Sequence, residues 1–250
     1  MSQARRVLLI TGGTRGVGAA TARLAAAQGW AVGVNYLQDE RSAVALVQEI
    51  RRVGGVAHAC QADVGKSADV VRLFADLDSV LGAVSAVVCN ASAPGARVPV
   101  EHLESAQLQR QLDTAILGSL LCAREAVRRM SRLNGAGGGA LVFVSREAPR
   151  AGGSEGSAEA AAIGAARDAL TTALAKELHS GGIRVNTVCP AAARIANWSG
   201  GLTNRTDRAV GPMAMELGPY AEEAAKQILW LISDEADRTT GARIEVASRE

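Results

Sequence analysis

The residues best placed to do chemistry come early in the chain. The segment TGGTRGVG, residues 11–18, sets Gly12, Gly16 and Gly18 between a β-branched run and an Ala-rich run of helical period. Glycines at that spacing let the backbone turn tightly and approach an anion, whose charge then rests on free N–H groups at a helix N-terminus. The loop residues Gly12, Thr14, Arg15, Gly16, Val17 and Gly18 are therefore candidates for holding a pyrophosphate. A Gly-rich turn is also an ordinary strand-to-helix connection, but its place after the first strand of a repeating chain favours the nucleotide reading. Groups able to move protons are scarce. The 250 residues include two tyrosines, Tyr36 and Tyr220, and three lysines, Lys66, Lys176 and Lys226, so no Tyr-x-x-x-Lys pair exists. Cys60, Cys89, Cys122 and Cys189, like His58, His102 and His179, are dispersed without CxxC or HxxxH spacing. No metal site is expected, and the thiols read as small buried hydrophobes in a reducing cytoplasm.

The elements that must position these groups follow from periodicity. Apolar or β-branched runs (RVLLIT, AVGVNY, VAHACQA, VSAVVCN, ALVFVS, IRVNTVC, ARIEV) alternate with Ala-rich helical stretches. Seven such strands predict an α/β fold, a doubly wound parallel sheet with helices on both faces. Gly29, Gly54, Gly82 and Gly182 mark helix ends. The chain reads as one domain over 1–250, with a polar, turn-rich, lid-like segment at about 191–219 before a last helix, AEEAAKQILWLISDE. With 48% hydrophobic but 3% aromatic residues, the core must be built from Ala, Val, Leu and Ile. A net charge of +2 with scattered basic residues argues against nucleic acid as a partner. No 18-residue apolar span or apolar N-terminal region suggests a membrane.

Taken in order, TGGTRGVG, ADV at 62–64, CNAS at 89–92, GIRVNTVCP at 182–190 and SDEADRTTGARIEV near the end resemble the short-chain dehydrogenase/reductase family over nearly the whole chain. The resemblance implies a Rossmann-type fold with Asp63 and Val64 beside the adenine and Asn90 and Ala91 beside the ribose. The second strand ends in Asn35, Tyr36 and Leu37, where members preferring NAD carry an acidic residue. Arg15 could pair with a 2'-phosphate, which favours NADP(H). The family's relay is an Asn, a Ser, a Tyr and a Lys four residues after the Tyr; in it an ammonium lowers the phenol's pKa and the Ser hydroxyl polarises the carbonyl. Registered through LTTALAKEL, those positions hold Ala115, Arg146, Ala160 and Gly164, with Ser145 one residue before the Ser position. Lys176 lies twelve residues past Gly164, roughly 18 Å at the helical rise. Ala191 and Ile195 stand where the family has the Gly and Thr that hold the carboxamide.

Conventional dehydrogenase activity is accordingly expected to be absent, and three readings remain. In the first, a remodelled pocket performs non-redox chemistry of cyclase, isomerase or lyase type on a small molecule. Its candidate polar groups are Arg146, Ser145, Glu147, Ser92, Arg97 and Glu159, each also readable as a solvated loop charge. In the second, the chain is a pseudoenzyme that binds nucleotide or pairs with an active relative. In the third, it is a weak NADP(H)-dependent oxidoreductase drawing its proton from water. The lid-like segment with Trp198 favours the first. Ala158, Ala161, Ala165 and Ala169 suit close helix contact, and the family resemblance implies a subunit interface on this helix and hence a homodimer or homotetramer.

Overall fold

The computed structural model describes residues 5–93, 98–145, 158–190 and 212–246, with the backbone alone over 212–219. The seven strands expected from the apolar runs are present: β1 (Val7–Thr11), β2 (Ala31–Tyr36), β3 (Val56–Gln61), β4 (Val84–Cys89), β5 (Gly139–Val144), β6 (Ile183–Pro190) and β7 (Arg243–Val246). They form one parallel sheet in the order β3-β2-β1-β4-β5-β6-β7. The direction of winding reverses between β1 and β4, which opens a crevice at the C-terminal ends of those two strands.

Alternation along each strand splits the core into two layers. On one face Leu9, Val87, Phe143 and Val185 pack beneath Phe74 and Leu77 of α3 (Ser67–Val80), Leu121 and Cys122 of α5 (Gly118–Met130), and Leu178 just after α6 (Ala158–Glu177). On the other, Leu8, Ile10, Val32 and Val142 meet Ala22 and Ala25 of α1 (Gly16–Ala27), Leu46 and Ile50 of α2 (Glu40–Arg52), and Ile228 and Leu231 of α7 (Pro212–Ile232). With few aromatics available, small residues let the layers approach. A Cβ on Gly33 of β2 would lie 2.5 Å from Leu77 Cδ2.

Two elements differ from the sequence reading. The last helix begins at Pro212, inside the segment read as a loop, because proline suits the first helical position and MAMEL consists of strong helix formers. Residues 191–211, with Trp198, lie outside the described residues. The stretch LQRQLDTAILGSLLCAREA, whose sequence reads as one continuous helix, is instead the end of α4 (Ser105–Leu112), a π-helical turn at Asp113–Leu117, and the start of α5. No described helix is long and apolar enough to cross a membrane.

Glu125 of α5 is a buried anion, 2% exposed, and it accepts hydrogen bonds from Arg124, Arg128 and Arg129. Burial alone would raise its pKa, but the three guanidiniums outweigh that and hold the carboxyl below its ordinary value. A depressed folded pKa means that the contribution is present above the ordinary glutamate value of about 4.3 and is lost as the pH falls through the folded value. Glu125→Gln is expected to cost about 1–2 kcal/mol at neutral pH, since the exposed Arg124 and Arg128 can rehydrate and Arg129 keeps its pair with Asp78. Denaturant melts of the two proteins should converge in acid; a constant gap down to pH 3 would refute the assignment.

Candidate functional site

The crevice between β1 and β4 is lined by the Gly-rich loop. Gly12 and Gly16 adopt φ of +60° and +54°, values that favour glycine. A Cβ on Gly18 would sit 2.8 Å from both Asn90 Nδ2 and Gly12 O, and one on Gly12 would sit 2.9 Å from Ala91 Cα. The loop is thus pressed against the end of β4. Asn90 Nδ2 donates to Thr11 O at 3.1 Å and Gly12 O at 2.8 Å, while the Asn90 and Ala91 amides donate to Thr11 Oγ1. From the other side Asn35, 2% exposed, accepts from the Gly12 amide at 3.2 Å and donates to Cys60 O and Ala62 O. Its amide braces the loop and the end of β3.

The other residues expected at the nucleotide gather on the same edge. Asp63 Oδ1 accepts from the Gly65 amide, and the Asp63 amide donates to Asp69 Oδ2. Val64 is buried against Gly118 at the start of α5. Tyr36 is buried at the end of β2; burial, then Glu40 and Cys60, push its phenol above the ordinary value. Val17 and Thr14 are half-buried, and Arg15 is exposed.

The start of α1 differs from that of its neighbour. At α2, Asp39 caps the Ser42 amide and Glu40 occupies the first turn. At α1, Arg15 provides no side-chain cap, no acidic residue lies in the first turn, and a Cβ on Gly16 would have no protein atom within 4 Å. Unpaired N–H groups, the helix dipole and open space together favour a bound anion there.

The second half of the crevice lies where α6, the π-helical turn and the ends of β4 and β5 meet. Ala115 sits in the π-helical turn, buried, and its carbonyl accepts from Ser119 Oγ at 2.7 Å. Gly164 is buried and Ala160 half-buried on α6. Ser145 is buried and its hydroxyl hydrogen-bonds with the Cys189 thiol. Ser92 is half-buried near its neighbour's carbonyl. Glu159, in the first turn of α6, is 8% exposed, and its Oε2 has no hydrogen-bond partner. Arg97, Arg146 and Glu147 lie outside the described residues.

Sequence reasoning missed Arg167. It is the one buried cation among the described residues, 3% exposed. Its guanidinium donates to Ala115 O at 3.3 Å, Ala91 O at 3.0 Å and Val144 O. One group thus ties the π-helical turn, the loop after β4 and the end of β5 together, one helical turn past Gly164. An arginine in Ala-rich text reads as surface, and nothing local marks it otherwise. Ala158, Ala165 and Ala169 are exposed and Ala161 is half-buried, so that face of α6 stays open in the single chain.

A model of the short chain dehydrogenase family matches residues 6–201. The chain is 40% identical to the uncharacterized oxidoreductase YgfF of Escherichia coli (strain K12), over 96% of this chain and 98% of that protein. It is 32% identical to the cis-4-hydroxycyclohexanecarboxylate dehydrogenase of Sinomonas cyclohexanicum, covering 97% and 95%. A blue fluorescent protein from a metagenomic library, solved in complex with NADPH, matches with a TM-score of 0.79 at 25% identity over 96% of each chain. These relatives correct two of the readings drawn from the missing relay, the non-redox cyclase, isomerase or lyase and the pseudoenzyme subunit. The first two are named for redox chemistry, the third was solved with NADPH, and all three match almost end to end. The physical reason is that Ala115, Ala160 and Gly164 remove groups assigned to proton transfer, whereas hydride transfer depends on how the nucleotide is held. By the family model and by this full-length similarity, the chain belongs to the short chain dehydrogenase family.

Proposed function

We propose that the protein is a nicotinamide-nucleotide-dependent oxidoreductase, with NADP(H) preferred, acting on a small secondary alcohol and its ketone. The observation that carries this reading is the start of α1, where a glycine cradle meets a helix end free of carboxylate and capping side chain. The residues present fit a dinucleotide. Gly12, Gly16 and Gly18 admit the pyrophosphate, Asn35 and Asn90 fix the loop, and Asp63 and Val64 stand at the edge expected for the adenine. Once bound, the nucleotide supplies or accepts a hydride. Arg15 is exposed and available to a 2'-phosphate; Asn35, Tyr36 and Leu37 at the end of β2 carry no carboxylate, and Asp39, which follows them within electrostatic reach of Arg15, is engaged in capping the Ser42 amide. The dehydrogenase relative's name supports the alcohol class.

In this reading Arg167 is a positioning residue that holds the ends of β4 and β5 against the π-helical turn. Loss of a phenol takes away general acid assistance, typically worth about 100- to 10,000-fold. Reduction is therefore slow, with water delivering the proton. The test is titration with NADPH and NADH by calorimetry, followed by turnover on cyclic secondary alcohols and ketones. NADPH should bind about tenfold tighter than NADH, a margin of about 1.4 kcal/mol from one exposed Arg–phosphate pair. Slow turnover in both directions should follow. Failure of both nucleotides to bind at millimolar concentration would overturn the reading, as would binding without turnover.

A further inference from the structure

We propose that His58, Cys60 and Asp76 form a binding site for a thiophilic divalent cation of the zinc type. The site lies on the outer strand β3, across the sheet from the α6 edge of the crevice. His58 and Cys60 are two residues apart, so their side chains share the face that α3 covers, and α3 brings Asp76 onto them. Nε2 or Nδ1 of His58, Sγ of Cys60 and a carboxylate oxygen of Asp76 all lie within 4.8 Å of one another. The Asp76 Oδ2 to His58 Nε2 distance is 2.9 Å. With zinc bonds of about 2.0–2.3 Å, tetrahedral ligand atoms stand roughly 3.3–3.7 Å apart. The three atoms need shift only modestly to meet an ion.

Nitrogen, thiolate sulfur and carboxylate oxygen form a donor set suited to zinc, cobalt or cadmium and poorly suited to magnesium or calcium. A fourth ligand can come from solvent, because a recess of about 160 Å³ lined by Gln61, Arg72 and Leu73 opens beside Cys60 and Asp76. Arg72, the cation that would repel an ion there, is paired with Asp69 at 3.0 Å. His58 and Asp76 are part-exposed, which leaves an entry path, while Cys60 is buried. Burial first, and then the Asp76 carboxylate, push the Cys60 thiol up, so without metal the sulfur keeps its proton. On binding, a sulfur–metal bond forms, the thiol proton leaves to solvent, and the His58 to Asp76 hydrogen bond is exchanged for two metal bonds. Among the described residues no other set of three such ligands gathers this closely.

The experiment uses the whole chain, reduced and stripped with chelator, titrated with zinc chloride by calorimetry and with cobalt(II) by absorbance. Wild type should bind one zinc per chain, and cobalt should give tetrahedral visible bands with a thiolate-to-cobalt charge-transfer band in the near ultraviolet. Cys60→Ser should abolish the charge-transfer band, and Cys60→Ser and Asp76→Asn should each weaken zinc binding at least about tenfold. Circular dichroism melts establish that both variants fold. A wild-type cobalt spectrum without the sulfur band would overturn the site. So would a band that persists in Cys60→Ser, or zinc affinities equal in all three proteins.

Discussion

Arg167→Met is expected to lower the melting temperature by roughly 6–12 °C. The guanidinium donates to Ala115 O, Val144 O and Ala91 O, carbonyls belonging to three segments that meet at the C-terminal edge of the sheet. Methionine keeps much of the volume and leaves all three without that donor. A buried acceptor stripped of its partner costs about 1–3 kcal/mol, and Ser119 still serves Ala115 O, so a total near 3 kcal/mol follows. In a domain of this size each kcal/mol moves the midpoint by roughly 2–4 °C. Arg167→Lys keeps the charge but not the planar fork, and should recover about half of the loss. Thermal melts followed by circular dichroism decide it. A Met variant melting within about 2 °C of wild type would show that these bonds add nothing beyond what water supplies.

Gly16→Asp should separate the fold from the nucleotide site. At φ +54° Asn and Asp are the side chains best tolerated, at a cost of about 1 kcal/mol, and a Cβ there meets no protein atom. A carboxylate at the start of α1 recovers part of that cost through the helix dipole, about 0.3–1 kcal/mol, because the first turn carries no acid of its own. The melting point should therefore be nearly unchanged, or slightly above that of Gly16→Asn. Nucleotide binding should respond in the opposite sense. A carboxylate about 5 Å from a pyrophosphate is opposed by roughly 3 kcal/mol at an effective dielectric of 20. NADPH affinity should thus fall about 100-fold in Gly16→Asp, and by tenfold or less in the neutral Asn variant, read by calorimetry at low salt. Equal affinities in the two variants would mean that no phosphate sits at this helix end.

Much of the architecture was legible because its signals are local. Runs such as VLLIT and AVGVNY are mostly apolar, and buried at every residue, because helices cover both faces of their strands. Gly29 and Gly54 stand at helix ends that need a left-handed residue. The start of α7 was misread, since a proline that opens a helix looks the same in sequence as one that breaks it. The π-helical turn around Ala115 was hidden for a related reason: the text on both sides is uniformly helical, and the extra residue shows only in the hydrogen bonds.

The amino-acid sequence by itself determined the sheet, the glycine loop and the lack of any Tyr-x-x-x-Lys pair, all of which depend on residue type and short-range spacing. It also invited an inference too far, from a missing proton relay to missing redox chemistry, which the full-length oxidoreductase relatives correct. Tertiary structure alone decided that Arg167 is buried, since its partners lie 23, 52 and 76 residues away. It alone brought Asp76 to His58 and Cys60, through the packing of α3 on the outermost strand. The charge of a side chain is written in its letter. Whether that charge meets water, a ring of carbonyls or a neighbouring thiol is settled only when distant segments close around it.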